Sequence, residues 1–179
     1  VDLPSAQKIF DKLVKEKTSK GYTEDTTGKT VGISTTDSKD SGFRCQQPNS
    51  IEEDQALRLL EDDNYIMQEK HDGRRLSIKK TGDQLTGINK KGLAVAIHPD
   101  LAKLKSASLD FMVDGEDMGD GVVFCFDALE FNGQDLRALP FSKRLEFLTI
   151  IITGHGLPLI ESIDAHNSGE KRKLFERLR

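Results

Sequence analysis

The chain has 179 residues, 36% of them hydrophobic and 31% charged, and its 26 lysines and arginines against 30 aspartates and glutamates give a formal net charge of −4. That length suits one domain, or one domain with a small appendage. The acidic balance argues against wholesale coating of nucleic acid but leaves room for a local basic groove. No apolar run approaches a membrane span, the longest cluster being "FLTIII", so no membrane partner is expected. The first residues lack the basic-then-apolar layout of a secretory signal. Cys45 and Cys125 lie far apart and read as free thiols of a reducing cytoplasm. His71, His98, His155 and His166 are scattered, and no Cys/His spacing suggests zinc.

In chain order, residues 1–22 hold a predicted helix, with Ala6, Ile9, Phe10, Leu13 and Val14 at helical spacing, Ser5 as N-cap and Gly21 as the stop. Residues 23–49 are rich in Thr, Ser, Asp and Gly and read as a linker or long surface loop. A short helix is predicted over 51–60. "YIMQEK" is a strand candidate, and "LSIKK" and "QLTGIN" are two strands joined through Thr81-Gly82-Asp83. "HPDLAKL" reads as one or two helical turns. "FMVDGEDM" and "GVVFCFDAL" are strands with a Gly-Asp-Gly connection, and "FNGQ" is a turn. "PFSKRLEFLTIII" is a helix with Leu145, Leu148 and Ile152 among its buried candidates. "LPLIES" is a strand, and "SGEKRKLFERLR" is a basic helix running to the last residue without a cap. Short strands mixed with helices through hairpin-like links predict an α+β fold with mostly antiparallel sheets flanked by helices.

The stretch "QEKHDGRRL" packs Lys70, Asp72, Gly73 and Arg75 into six positions. On a strand, Lys70 and Asp72 would share a face. Gly73 permits a sharp turn or a close approach, and Arg75 can point back from the returning strand. An ammonium, a carboxylate and a guanidinium in one pocket suit phosphate chemistry, since the guanidinium grips oxygens with its fork and a lysine serves as point charge or nucleophile. Further along, "VDGEDM" carries Glu116 behind a second Asp-Gly. "VFCFDALEFNG" carries Phe126 and Asp127, "LPFSKRLEFL" sets an arginine in a helix opened by proline, and "NKKG" lies between the first two.

This ordered set resembles the nucleotidyltransferase (adenylation) domain of ATP-dependent DNA ligases, within the wider group of RNA ligases and mRNA capping enzymes. The resemblance covers about 46–179. It implies that residues 50–179 form part of a ligase-type nucleotidyltransferase domain, and that Lys70 in K-x-D-G-x-R is the nucleophile that attacks the α-phosphate of ATP to form lysyl-AMP. By the same resemblance Arg75 contacts the nucleotide or nick phosphate, Glu116 binds the ribose and helps hold a metal, and Phe126 stacks on adenine. Gln68 stands where many ligases carry a glutamate that reads adenine. "NKKG" resembles S-R-x-G, with Lys90 in place of the arginine. The implied cofactors are ATP as AMP donor and Mg²⁺; the implied partner is nicked double-stranded DNA.

The family's E-G-x-x-x-K and K-x-K motifs and its oligonucleotide-binding barrel would begin where this sequence ends. The resemblance therefore implies a C-terminally truncated domain that adenylates itself poorly. A second, shorter likeness joins "AQKIFDKLVKEKTSKGYTE" to the closing helix of WGR modules. Two alternatives stand beside the DNA ligase reading: an RNA ligase or GTP-using capping enzyme, and a non-catalytic nucleotide- or nucleic-acid-binding relative. The basic groups Lys79-Lys80, Lys90-Lys91, Lys103/Lys105 and 171–173 read as solvated faces, or as a phosphate-tracking groove if they flank Lys70. Phe111, Phe131, Phe141, Phe147 and Phe175 read as core.

Overall fold

A computed structural model describes residues 5–8, 10–12, 39–119, 121–153 and 159–179. The chain divides into two units, Val1–Ile33 and Ser34–Arg179. In the first, residues 5–8 and 10–12 are helical. The predicted continuation of that helix to Gly21, most of the WGR-like stretch and the 23–38 part of the predicted linker lie outside the described residues. The elements numbered below belong to the second unit.

Hydrophobic alternation builds the central sheet. Strand β2 (Arg74–Thr81) turns Leu76 and Ile78 to one face and Arg75, Ser77 and Lys79 to the other. It pairs antiparallel with β3 (Gln84–Asn89) on one side and with β5 (Phe111–Asp117) on the other. Strand β4 (Ala94–Val95) extends the β3 edge, while β6 (Val123–Phe131) and β7 (Gln134–Asp135) extend the β5 edge, giving the order β4-β3-β2-β5-β6-β7. Strand β8 (Leu159–Glu161) adds a parallel pairing with the start of β6. A separate two-stranded sheet joins β1 (Met67–Gln68) to β9 (Asp164–Ala165). The mostly antiparallel α+β expectation holds.

One face of the sheet buries Leu76, Ile78, Val113, Val123, Cys125 and Ala128. Over it lie Leu145, Leu148 and Ile151 of helix α2 (Phe141–Thr153) and Leu101 and Leu104 of a 3-10 helix (Pro99–Ser106). Ile151, not Ile152, is the fully buried residue of that last turn of α2. The opposite face carries a smaller cluster of Ile88, Met112 and Leu129 with Phe43 against it. Helices α1 (Glu53–Leu60) and α3 (Ser168–Leu178) pack on each other. A reciprocal cap starts α3: Asn167 accepts from the Glu170 N–H at 3.0 Å, and Glu170 accepts from the His166 N–H at 2.9 Å. Among the described residues no helix is long and apolar enough to cross a membrane, and both cysteines are free.

Two irregularities in the β5–β6 ladder decide where the site forms. Asp114 faces Asp127 while Gly115 faces Cys125, which leaves Phe126 as an extra residue; Met112 faces Glu130 while Val113 faces Ala128, which leaves Leu129 extra. Such bulges re-aim side chains. Here they turn two consecutive residues, Phe126 and Asp127, toward the same cavity, which strict alternation forbids.

The basic pairs do not behave as solvated faces throughout. Lys80 is buried against Asp110 at 3.3 Å, Lys79 meets Glu130 at 2.7 Å, and Lys171 is buried in the α1–α3 interface. None of the predicted basic groups lines the cavity described next.

Candidate active site

A cavity of about 500 Å³ opens on the polar face of the sheet, a size typical of sites for small ligands. Lys70 and Glu69 reach it from the segment after β1, Arg75 from β2, and Asp114 and Glu116 from β5. Phe126, Asp127 and Leu129 come from the bulged part of β6, and Phe141 and Arg144 from the start of α2. Of the residues expected at a nucleotide site, Gln68, Lys70, Arg75, Glu116 and Phe126 all line it.

Lys90 does not. It is exposed in the turn between β3 and β4, where the Asn89 side chain accepts from the Lys91 and Leu93 N–H groups and Gly92 folds the chain back at φ +80°. Lys90 is thus not brought to this cavity with the other expected residues. What that turn does instead is admit residues 39–46. A Cβ at Gly92 would collide with the Phe43 carbonyl oxygen and with Arg44. Ser41 N–H and Oγ both donate to the Gly92 carbonyl, at 2.9 and 2.6 Å, and Asp40 bridges Leu93. The segment so held brings Phe43, Arg44, Gln46 and Pro48 to the cavity wall. Arg44, anchored by Asp40 at 2.6 Å, is the arginine on this side.

The K-x-D-G-x-R stretch also differs from its reading as a strand pair. Residues 69–72 are not in a strand. His71 lines the cavity beside Lys70, stacked on Phe124 with ring centroids 3.9 Å apart, and the exposed Asp72 does not line it. Gly73 serves a close approach rather than a turn. A Cβ there would lie 2.5 Å from the Asp117 carbonyl oxygen and 3.0 Å from Cγ of Glu116.

Each cavity guanidinium already holds a carboxylate. Arg75 donates Nε to Asp114 Oδ1 at 2.8 Å and Nη2 to Oδ2 at 2.7 Å; Arg144 does the same to Asp127 at 2.8 and 3.0 Å; Arg137 is paired with Asp135 at 2.7 Å. Lys70 differs: its Nζ donates a 3.4 Å hydrogen bond to the His71 carbonyl oxygen, and no carboxylate lies in ion-pair range among the described residues. Glu116 is the carboxylate counterpart. Burial pushes its carboxyl above the ordinary glutamate value, while Lys70 and then Arg75 pull it down without prevailing. Asp127 is likewise raised by burial, against the pull of Arg144. Arg75 also lies over the Phe126 ring, 4.6 Å from its centroid, so that face of the ring carries a guanidinium.

Asp114, Arg144 and Arg44 were not foreseen as site residues. Asp114 had a signal: it stands two residues before Glu116 on a strand, hence on the same face. Arg144 reads in the sequence as an arginine in a helix, and its partner Asp127 reaches it through a bulge that no spacing rule shows.

Among the described residues no three or more His, Cys, Asp or Glu gather as a metal cluster. Of the cavity carboxylates, Asp114, Asp127 and Glu69 are each paired with a guanidinium, which leaves Glu116 as the one fit to share a cation with a ligand's phosphates, the usual way Mg²⁺ is held.

No protein-family model matches the chain, and no curated protein matches it. Solved structures do. The ligase domain of LigD from M. tuberculosis aligns with TM-score 0.51 and 16% identity over 63% of this chain and 43% of its own. A mycobacterial DNA ligase D complexed with ATP and MES aligns equally well, with TM-score 0.51 and 16% identity over 63% of this chain and 44% of its own. The chain thus spans less than half the length of either. The aligned part of the chain therefore has the α+β fold of a ligase nucleotidyltransferase domain.

Proposed function

We propose that the cavity is a nucleotide site for adenylyl transfer, and that Lys70 is its nucleophile in a DNA-ligase-type reaction. One observation carries the reading: Lys70 is the cavity cation without a carboxylate in ion-pair range among the described residues, set in a wall that also holds Glu116, Arg75 and Phe126. Arginines committed to carboxylates bind and orient, whereas an amine held by no ion pair is free to approach a phosphorus atom. The mycobacterial structure with bound ATP supports a nucleotide as the ligand.

In this reading the neutral Lys70 amine attacks the α-phosphorus of ATP. A P–N bond forms, the bond to the pyrophosphate oxygen breaks, pyrophosphate leaves, and the amine sheds a proton. The chain's own residues supply positioning. Arg75, locked by Asp114, presents its remaining donors to phosphate or ribose oxygens. Arg44 and Arg137, paired with Asp40 and Asp135, offer further guanidinium donors at the cavity. Glu116 accepts from ribose hydroxyls and would hold Mg²⁺ together with the phosphates. When bound, that ion would offset charge on the leaving pyrophosphate. AMP would then pass to the 5′-phosphate of nicked DNA, and the 3′-hydroxyl would displace it.

Two readouts test the reading. Calorimetry is expected to show saturable ATP binding by the chain. Intact-mass analysis after prolonged incubation with ATP and Mg²⁺ is expected to show a fraction carrying one AMP, absent from Lys70→Ala. No binding, or AMP on another residue, would overturn it.

A further inference from the structure

The side-chain amide of Gln68 has spent both its donors. Nε2 donates to the Phe126 carbonyl oxygen at 3.1 Å and to Oδ1 of Asp164 at 2.7 Å. A primary amide carries two N–H donors and one carbonyl acceptor. Turning it over would set Oε1 against a carbonyl oxygen and a carboxylate, acceptor facing acceptor, so the partners fix its orientation. Oε1 is then the polar atom of this side chain left without a protein partner among the described residues, and Gln68 lines the cavity.

The register explains the arrangement. In the β1–β9 pair Gln68 stands directly opposite Asp164, the closest kind of cross-strand neighbour. Asp164 does not line the cavity. Its reach to the ligand is through Gln68. The amide is bonded in turn to the backbone of Phe126, the residue whose ring lines the same cavity, so its oxygen and a base platform are supplied from one place.

We propose that Asp164 is a positioning residue that sets base specificity: it holds Gln68 as an acceptor-only group, so the cavity selects a purine with an amino group at C6 over one with a carbonyl there. The inference rests on the nucleotide reading above. An amino group donates to Oε1, whereas a carbonyl oxygen in its place leaves two acceptors opposed and unsatisfied, which costs about a tenfold loss of affinity or more.

The test uses the full chain, titrated by calorimetry with ATP and with inosine triphosphate, which differs at C6. Wild-type protein is expected to bind ATP at least about tenfold more tightly. Asp164→Ala removes the shorter of the two hydrogen bonds that fix the amide and leaves the 3.1 Å bond to Phe126, so the amide is loosened and the ratio is expected to fall toward one through weaker ATP binding, with inosine triphosphate unchanged or tighter. Asp164→Ser, too short to reach Nε2, is expected to behave alike and serves if the alanine variant does not fold. Equal wild-type affinities overturn the inference and leave the nucleotide site standing. Equal weakening of both nucleotides in the variants shows a structural role only and also overturns it. Binding of neither nucleotide by wild-type protein overturns the nucleotide site and this inference with it.

Discussion

Asp114 grips Arg75 with both carboxylate oxygens and takes a further hydrogen bond from the Ser77 hydroxyl at 2.9 Å. The Arg75 guanidinium also donates from Nη2 to the Gln46 carbonyl oxygen at 3.2 Å, so it ties the 39–49 segment to the sheet as well as facing the cavity. A buried carboxylate and an arginine that is only 18% exposed form a pair whose breakage strands a charge.

Asp114→Ala should therefore cost about 3–5 kcal/mol in urea unfolding, the loss expected when one partner of a buried pair is removed. Arg75→Lys should cost less but still register, because a lysine keeps the charge and loses the two-pronged fit. A midpoint for Asp114→Ala indistinguishable from wild type would mean that the pair is not a structural anchor.

Gly73→Ala tests how tightly the Lys70 segment is laid against β5. The added methyl would meet the Asp117 carbonyl oxygen at 2.5 Å, Sδ of Met118 at 2.9 Å and Cγ of Glu116 at 3.0 Å. A thioether can swing aside, but a backbone carbonyl in a paired strand cannot. The expected result is a loss of about 1–3 kcal/mol, as for other overpacked sites, with weakened ATP binding as Lys70 and Glu116 are pushed apart. Unchanged stability and unchanged binding together would sink this account.

Much of this architecture is legible from periodicity alone. Leu76 and Ile78 alternate, Leu145 and Leu148 recur at helical spacing, and Asn132-Gly133 turns with both residues at positive φ. These segments carry their own pattern over several residues. The two-residue strands β1, β4, β7 and β9 are too short to carry one. Asp164 thus became visible only when its register with Gln68 was known. The bulges at Phe126 and Leu129 escape for another reason: an extra residue in one strand is defined by its partner strand, which is distant in sequence. Residues 39–49 look like a linker because they lack apolar anchors. They are held by hydrogen bonds from Ser41 and by the bare Cα of Gly92, contacts that hydropathy does not report.

Glu116 sets a pH dependence whose sign follows from burial. Its carboxyl is raised above the ordinary 4.5 in the folded chain, so the folded state holds its proton more tightly than the unfolded state. Ionising it costs stability. That cost is absent below the ordinary value and fully developed once pH has risen past the raised one. Glu116→Gln should accordingly unfold at a higher urea midpoint than wild type at neutral pH, with the difference closing as pH falls through that window. A difference that widens toward acid would show that Lys70 and Arg75, not burial, dominate at this carboxyl.

Lys171 makes the most decisive stability test, because its ammonium is surrounded. The side chain is 1% exposed, and Nζ donates to the carbonyl oxygens of Leu59 at 3.0 Å, Asp62 at 2.7 Å and Tyr65 at 3.1 Å. These acceptors gather where α1 ends, the place where helix carbonyls lack partners and positive charge is favoured. All three ammonium protons are used. Lys171→Met keeps most of the stem volume and removes every donor, so it should cost about 2–4 kcal/mol, the range for losing hydrogen bonds to a charged group in a desolvated place. Lys173→Met, two residues on and exposed, should stay within about 0.5 kcal/mol of wild type. The damage should be regional. Helix α3 also carries Arg177 to Glu69 at 3.2 Å, next to Lys70, so loosening α3 reaches the cavity wall. Hydrogen exchange should accelerate over 53–70 and 168–178 while β2, β5 and β6 keep their protection. Exchange rising evenly across the sheet instead would mean that Lys171 supports the whole unit rather than the α1–α3 clamp.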